Sequence, residues 1–288
     1  MTDTVIAGIM RAGAFSPNHI GNDATIFNLV ADQLRKRGCI VNVYSEEQLQ
    51  AGGVTEKIIV NMCREHKSMH KLQELEDSGV LVINSGYGIE NCIRERMTRI
   101  LLGVGVPHPK SLIVNTNENV VDALKQAGIG ACWIKRGDYH TMHREDVSFV
   151  RHAQEAQEVL HEYFLRGIPR AVINVHLEGD LVKFYGIKGS SFFYYFYPYN
   201  TGNSKYGLEN INGKPQEFAI DEQRLHTMCQ DAAEALGIEI YGGDCIVSAD
   251  GDIQIIDFND WPSFAPCRNE AAPQIAKRIL SLIKEHRS

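Results

Sequence analysis

The sequence predicts an α/β protein (α+β overall), an N-terminal open parallel sheet followed by a region richer in antiparallel strands. Three observations predict it. Short apolar runs alternate with helical-period segments through the first third of the chain, the pattern of β-α-β units. Two prolines in Val106-Pro107-His108-Pro109 then enforce extended backbone, and we place a domain boundary there, with residues 1–105 before it and 106–288 after it. Beyond it, apolar runs are joined by turn sequences such as Ala249-Asp250-Gly251-Asp252, which signal hairpins.

The elements follow in order. Residues 4–10 (TVIAGIM) read as a buried strand. Residues 23–37 carry Ile26, Leu29, Val30 and Leu34 at helical spacing and stop at Gly38. Strands follow at 39–44 and 57–61, a helix at 67–77, a strand at 80–83 and a helix at 90–102. In the second region the expected strands are 111–114 and 132–135, with a helix at 120–127 between them. Residues 137–146 break both periods and read as a loop. A helix over 154–164 precedes strands 170–177 and 181–187, which read as an antiparallel pair turning at Glu178-Gly179-Asp180. The aromatic strand 191–197 fits core, a dimer surface or the wall of an apolar site. The polar stretch 200–215 has the length of a functional loop. A helix at 222–236, a hairpin of 243–248 with 253–258, and a helix at 271–285 complete the chain.

Composition narrows the function. The 288 residues are 44% hydrophobic and 23% charged, which excludes disordered and collagen-like classes. A net charge of −7 argues against a general nucleic-acid or membrane-surface binder. No apolar run reaches transmembrane length and the N-terminus lacks a signal-peptide pattern. The seven cysteines are odd in number and widely spaced, so they read as reduced buried thiols of a cytoplasmic protein. P-loop, nucleophile-elbow, zincin and protein-kinase motifs are absent. Gly86-Tyr87-Gly88 lacks the third glycine of a dinucleotide fingerprint, and His140-x-x-His143 has no third ligand nearby.

The strongest chemical signal is Asp244 with Asp257-Phe258-Asn259. The turn at Asp250-Gly251 lies nearly midway between the two aspartates, so they oppose each other across the ladder. Asp257 and Asn259, two apart, share a face. Hard oxygen donors of this kind suit Mg2+, with phosphates completing the coordination. Flanking Ile255, Ile256, Phe258 and Trp261 make a merely solvated face a poor explanation, because buried carboxylates need partners. Lys135, at a strand end before a polar loop, can act as a point charge for a phosphate, and Lys183 is a second candidate.

Taken together, Lys135 before a loop, Val172-Ile173-Asn174-Val175-His176-Leu177-Glu178-Gly179, and Asp244 with Asp257-x-Asn259-x-x-Pro262 resemble the ATP-grasp superfamily. Val82-Ile83-Asn84-Ser85 and Leu101-Leu102-x-x-Gly105-Val106-Pro107-x-Pro109 extend the resemblance across the chain. It implies a Rossmann-like pre-ATP-grasp domain at 1–105 and a two-lobed ATP-grasp domain at 106–288, with a lid-bearing lobe near 110–175 and a metal lobe near 176–288. It also implies ATP and a pair of Mg2+ ions, replaceable by Mn2+, as cofactors. Arg94 or Arg96, with Lys135, would contact the phosphates, and Val175, His176 and Leu177 would border the adenine. Asp180 is the candidate for the ribose and Lys183 the catalytic lysine near the γ-phosphate. Asp244, Asp257 and Asn259 would hold metal, and the loop 137–146 would be the lid.

The lid departs from the family pattern, carrying Tyr139, His140, His143 and Arg144 in place of Gly and Ser. Between Ile187 and Asp244 the only arginine is Arg224, where ligases of the family commonly place one for the acyl-phosphate. Lys188, Lys205 or Lys214 could replace it. The leading expectation is a carboxylate–amine ligase acting on a small molecule or peptide. The alternatives are a kinase of the inositol-phosphate type and a nucleotide-binding protein without turnover. Open parallel sheets bind ligands at the carboxyl ends of their strands, so Arg11 and His19 are expected at the catalytic acceptor site, with Trp261 and Ser263 beside it. The expected partners are the substrate and, in a homodimer, a second copy of the chain, with no nucleic acid or membrane.

Overall fold

The computed structural model describes residues 4–15, 20–201 and 211–288. Its first sheet is parallel, in the order β2-β1-β3-β4. Strand β1 (Thr4–Ile9) leads to α1 (Ile20–Lys36) and β2 (Cys39–Tyr44); α2 (Glu46–Gln50) precedes β3 (Ile58–Asn61), and α3 (His66–Asp77) precedes β4 (Leu81–Ile83). Every neighbouring pair is parallel, as expected when helices connect successive strands.

The single helix expected at 90–102 is two, α4 (Gly86–Asn91) and α5 (Arg94–Val104), because Ile93 is extended between them. The break lets α4 press on the chain elsewhere: a Cβ on Gly88 would lie 2.2 Å from the carbonyl oxygen of Gly237. It also makes Arg94 the first residue of a helix rather than an interior one.

The second sheet, β5-β8-β6-β7, is antiparallel. It contains β5 (Ser111–Asn115), β6 (Cys132–Arg136), β7 (Val147–Val150) and β8 (Arg170–Val175), and α6 (Val121–Gln126) and α7 (Ala153–Leu165) pack on it around Leu124, Ile134, Leu160 and Ile173. Strand β7 was not among the expected elements. It pairs Val147 with Lys135, so residues 137–146 form the connection of a hairpin.

The third sheet, β10-β9-β11-β12, is also antiparallel. Its strands are β9 (Asp180–Ile187), β10 (Phe193–Phe196), β11 (Ile240–Val247) and β12 (Ile253–Asp260); α8 (Pro198–Thr201) and α9 (Glu222–Leu236) lie between β10 and β11, and α10 (Arg268–Arg287) ends the chain. The expected pairing of 170–177 with 181–187 is therefore corrected: β8 and β9 belong to different sheets. A short link between two apolar runs carries no local mark of which sheet each joins. Gly179 makes the crossing, with φ +147° and a notional Cβ 2.4 Å from the Val247 carbonyl oxygen.

Helix α10 returns to the parallel sheet, where Ile275, Ile279 and Ile283 share a core with Ile6, Ile26, Val30 and Val60. The aromatic run is core on both faces: Phe192 and Tyr194 pack against this cluster, and Phe193 and Tyr195 against the one beneath β9 and α9. All seven cysteines are free and buried. Among the described residues no helix is long and apolar enough to cross a membrane.

Candidate active site

A cavity of about 330 Å3 lies where the three sheets meet. Arg11 and Arg64, just beyond the carboxyl ends of β1 and β3, wall one end; Trp133, Val175, Leu177 and Ile246 wall the other. Between them stand Arg94, Lys135, Lys183, Asp244, Asp257 and Asn259.

The hairpin of β11 and β12 sets the acidic face. Asp244 pairs directly with Asp257 across the ladder, and the register then shifts so that Cys245 faces Ile255. Ile256 is thus the extra residue of a β-bulge, a device that redirects backbone groups beside a site. Its carbonyl oxygen accepts from Lys135 Nζ at 3.1 Å, a contact that crosses from the second sheet to the third. Asp244 Oδ1 is 3.0 Å from Lys183 Nζ, set opposite it in the β9–β11 ladder. Arg94 Nη2 reaches both carboxylate oxygens of Asp257 at 3.3 and 3.2 Å, while its Nη1 donates to Thr141 Oγ1. Asn259 Nδ2 lies 3.4 Å from Asp257 Oδ2.

The electrostatics follow from burial and these pairs. Desolvation opposes the charge on Asp257, but Arg94 and Lys135, with hydrogen bonds from Arg94 and Asn259, outweigh it and hold the carboxyl at about 2. Burial lowers Lys135 to about 8; Arg94 adds to the shift, and Asp257 and Asp244 oppose it. His108 is pushed down to about 4 by burial and by Lys135. Among the described residues no three His, Cys, Asp or Glu side chains form a metal cluster. The oxygen donors that face the cavity on this hairpin are the two opposed carboxylates and the Asn259 amide. They fit a cation that takes its remaining ligands from phosphate and water.

Other expected residues fall elsewhere. Arg96 is exposed and pairs with Glu90 at 2.9 Å; two helical residues past Arg94, it faces away from the cavity. Asp180 is buried and accepts from the backbone N–H groups of Gln216 and Phe218 at 2.7 and 2.9 Å, so both oxygens hold the chain after β9 rather than line the cavity. His176 does not line it either: its Nδ1 accepts from Trp133 Nε1 at 3.1 Å, which orients the indole that does. The Trp261 side chain is 0% exposed in the core shared with α10, whereas Ser263 lines the cavity. His19 lies outside the described residues, as does Lys205. Lys188 is engaged by Glu234 and Glu239 at 3.0 and 2.9 Å, and Arg224 bonds the Gly251 carbonyl; neither lines the cavity.

Arg11 does line the cavity, yet its guanidinium is committed inside the fold. Nε donates to Met62 O at 3.0 Å, Nη1 to Asp23 at 2.9 Å, and Nη2 to Asp260 and to Trp261 O at 3.4 and 3.1 Å. It fastens the end of β12 to the parallel sheet. Arg64, which sequence reasoning missed, sits beside it. Its strand-end position was the available signal, the same one that singled out Arg11.

The expected lid is docked. The Tyr139 hydroxyl donates to the Arg64 carbonyl, and its ring packs on Phe15 and His66 beside the core of the parallel sheet. Asp146 accepts from the backbone N–H groups of Met142 and His143 and pairs with Arg166. His140, carried between these anchors, lines the cavity.

No family model matches the chain, and no curated protein matches it. Solved structures do. A D-alanine–D-alanine ligase from Bacillus anthracis complexed with ATP shares 13% identity at a TM-score of 0.70, covering 99% of each chain. VanG D-Ala:D-Ser ligase from Enterococcus faecalis shares 12% at 0.71, covering 98% of this chain and 99% of its own. The ATP-grasp ligase PsnB, solved with precursor peptide and AMPPNP, shares 15% at 0.63, covering 98% of each.

Proposed function

We propose that this chain, which has the fold of the ATP-grasp ligases, is an ATP- and Mg2+-dependent enzyme that joins a carboxylate of a small molecule or peptide to an amine. The observation that carries this reading is the cavity where Lys135, Lys183 and Arg94 face the opposed carboxylates Asp244 and Asp257. Phosphoryl transfer needs charge neutralisation, alignment and exclusion of water. Asp244, Asp257 and Asn259 would hold Mg2+, which when bound would neutralise phosphate oxygens. Lys135 and Arg94 would meet the phosphates, and Lys183 would face the γ-phosphate. Val175 and Leu177 would offer backbone groups to the adenine, with Trp133 as an apolar wall. The docked loop over 137–146 would keep water from the transfer.

In the reaction, the acceptor carboxylate oxygen attacks the γ-phosphorus and ADP leaves. An amine then attacks the acyl carbon, the C–N bond forms as the C–O bond to phosphate breaks, and inorganic phosphate departs with the proton the amine gives up. The absence of an arginine from 188–243 other than Arg224 favours a kinase on sequence alone. Arg94 in the cavity answers that objection, since a guanidinium donor from α5 can stabilise the acyl-phosphate. We place the protein in the cytoplasm, where ATP is available and buried thiols stay reduced.

The test is incubation with γ-phosphate-labelled ATP, Mg2+ and a metabolite extract, with and without hydroxylamine. Label released as phosphate with hydroxamate formed is the expected result. Label retained in a stable phosphorylated alcohol would replace the ligase with the kinase, and no ATP consumption would leave a nucleotide-binding protein.

A further inference from the structure

The parallel-sheet end of the cavity holds nitrogen atoms without hydrogen-bond partners among the described residues. Arg64 meets Asp260 through Nη2 alone, at 3.3 Å to Oδ1 and 3.4 Å to the backbone oxygen. Its Nε is buried with no hydrogen-bond partner among the described residues. His140 is 6% exposed, and its Nε2 also lacks one. Arg11 next to them differs, since its Nε and both terminal nitrogens are bonded internally. An unpaired buried donor costs about 1–3 kcal/mol, so two such groups on the wall of one cavity call for a partner within it.

Geometry brings the two side chains to one wall. The hydrogen bond from the Tyr139 hydroxyl to the Arg64 carbonyl places the residue before His140 directly on the strand-end loop of β3. Both side chains line the cavity. Burial, then Arg64 and Arg11, hold the imidazole well below its ordinary pKa, so it stands as a neutral hydrogen-bonding group beside a guanidinium. A planar guanidinium fork with an adjacent neutral ring suits an oxyanion. Arg94, bonded both to Thr141 next to His140 and to Asp257, stands between this pair and the acidic face, where on the ligase reading the reacting carboxylate belongs.

We propose that Arg64 and His140 form a subsite for a second oxyanion of the acceptor, so that the substrate bears two anionic groups, as a dicarboxylate or a phosphorylated carboxylate does, and is not a simple monocarboxylate. The identity of the reacting carboxylate rests on the ligase reading above; the subsite itself does not.

The experiment uses the full chain saturated with AMPPNP and Mg2+, titrated calorimetrically with succinate, glutarate, 3-phosphoglycerate and butyrate. At least one dianion should bind about tenfold or more tightly than butyrate, consistent with one charge-assisted contact. Preference between the dicarboxylates and 3-phosphoglycerate identifies the oxyanion as carboxylate or phosphate. Arg64→Gln and His140→Gln, which lie on different elements, should each abolish most of that preference, with thermal midpoints reporting whether each has folded. Equal binding of butyrate and the dianions, no dianion binding, or a preference unchanged in both variants overturns the proposal. Wild-type protein that binds no AMPPNP refutes the ligase reading instead. The same series on the nucleotide-free chain then decides the subsite.

Discussion

Raising the pH should weaken nucleotide binding through Lys135. Its ammonium is buried beside Arg94 and titrates at about 8, against an ordinary value of 10.5. One pH unit below 8 about nine-tenths of the molecules carry the charge, and one unit above about one-tenth do. If the phosphates are held by the charged form, affinity for AMPPNP falls about tenfold between about pH 7 and pH 9. It then levels at the affinity of Lys135→Gln, because a charge-assisted contact is worth about ten- to a hundredfold. Stability of the nucleotide-free protein should move the other way. Between about pH 8 and the unfolded value the unfolded chain binds more protons than the native one, so this lysine's contribution to stability rises with pH. Calorimetric titration of AMPPNP into wild type and Lys135→Gln across this range, with thermal midpoints in parallel, measures both. A flat wild-type profile, or an equal slope in the variant, refutes the assignment of Lys135 to the phosphates.

Further outcomes follow from the same contacts. Asp257→Asn should reduce ATP turnover at least about a hundredfold. It should also cost about 3 kcal/mol, because Arg94 is left buried without its counter-charge; turnover assays and denaturant unfolding check the two separately. Asp180→Ala strips partners from two backbone N–H groups and should lower stability by about 2 kcal/mol while AMPPNP affinity stays within about twofold. A large affinity loss there would restore the ribose role. In Gly243→Ala the new Cβ would lie 2.2 Å from the Asp257 carbonyl oxygen and 2.6 Å from the Phe184 ring. Neither neighbour can yield cheaply, so the hairpin distorts and unfolding should be easier by about 3 kcal/mol or more.

The acidic face is legible in the sequence because its geometry is local. A turn near Asp250-Gly251 brings Asp244 and Asp257 close, and the two-residue period of a strand puts Asn259 beside Asp257; the bulge at Ile256, which the sequence does not mark, completes the register that sets the two aspartates opposite one another. Arg94 and Arg96 are equivalent by the same local reading. What separates them is the interruption at Ile93, which directs Arg94 onto Asp257 and leaves Arg96 with Glu90. Trp261 illustrates a similar limit. Its place two residues after Asn259 points to the site, but the indole packs in the core shared with a helix from the chain's end.

Alternation and helical period determined most elements and their buried faces, because each depends on backbone geometry within a few residues. The sequence also carried the parallel character of the first sheet, through its intervening helices. Only the tertiary structure decided that β8 and β9 enter different sheets, since a short link is compatible with a hairpin or a crossing. It alone decided that Tyr139 docks the expected lid against the core beside the parallel sheet, and that Arg11 is bonded through Nε and both terminal nitrogens while Arg64 meets Asp260 through Nη2 alone. Those outcomes depend on which distant carbonyls and carboxylates come within hydrogen-bond reach, and packing rather than periodicity sets that distance.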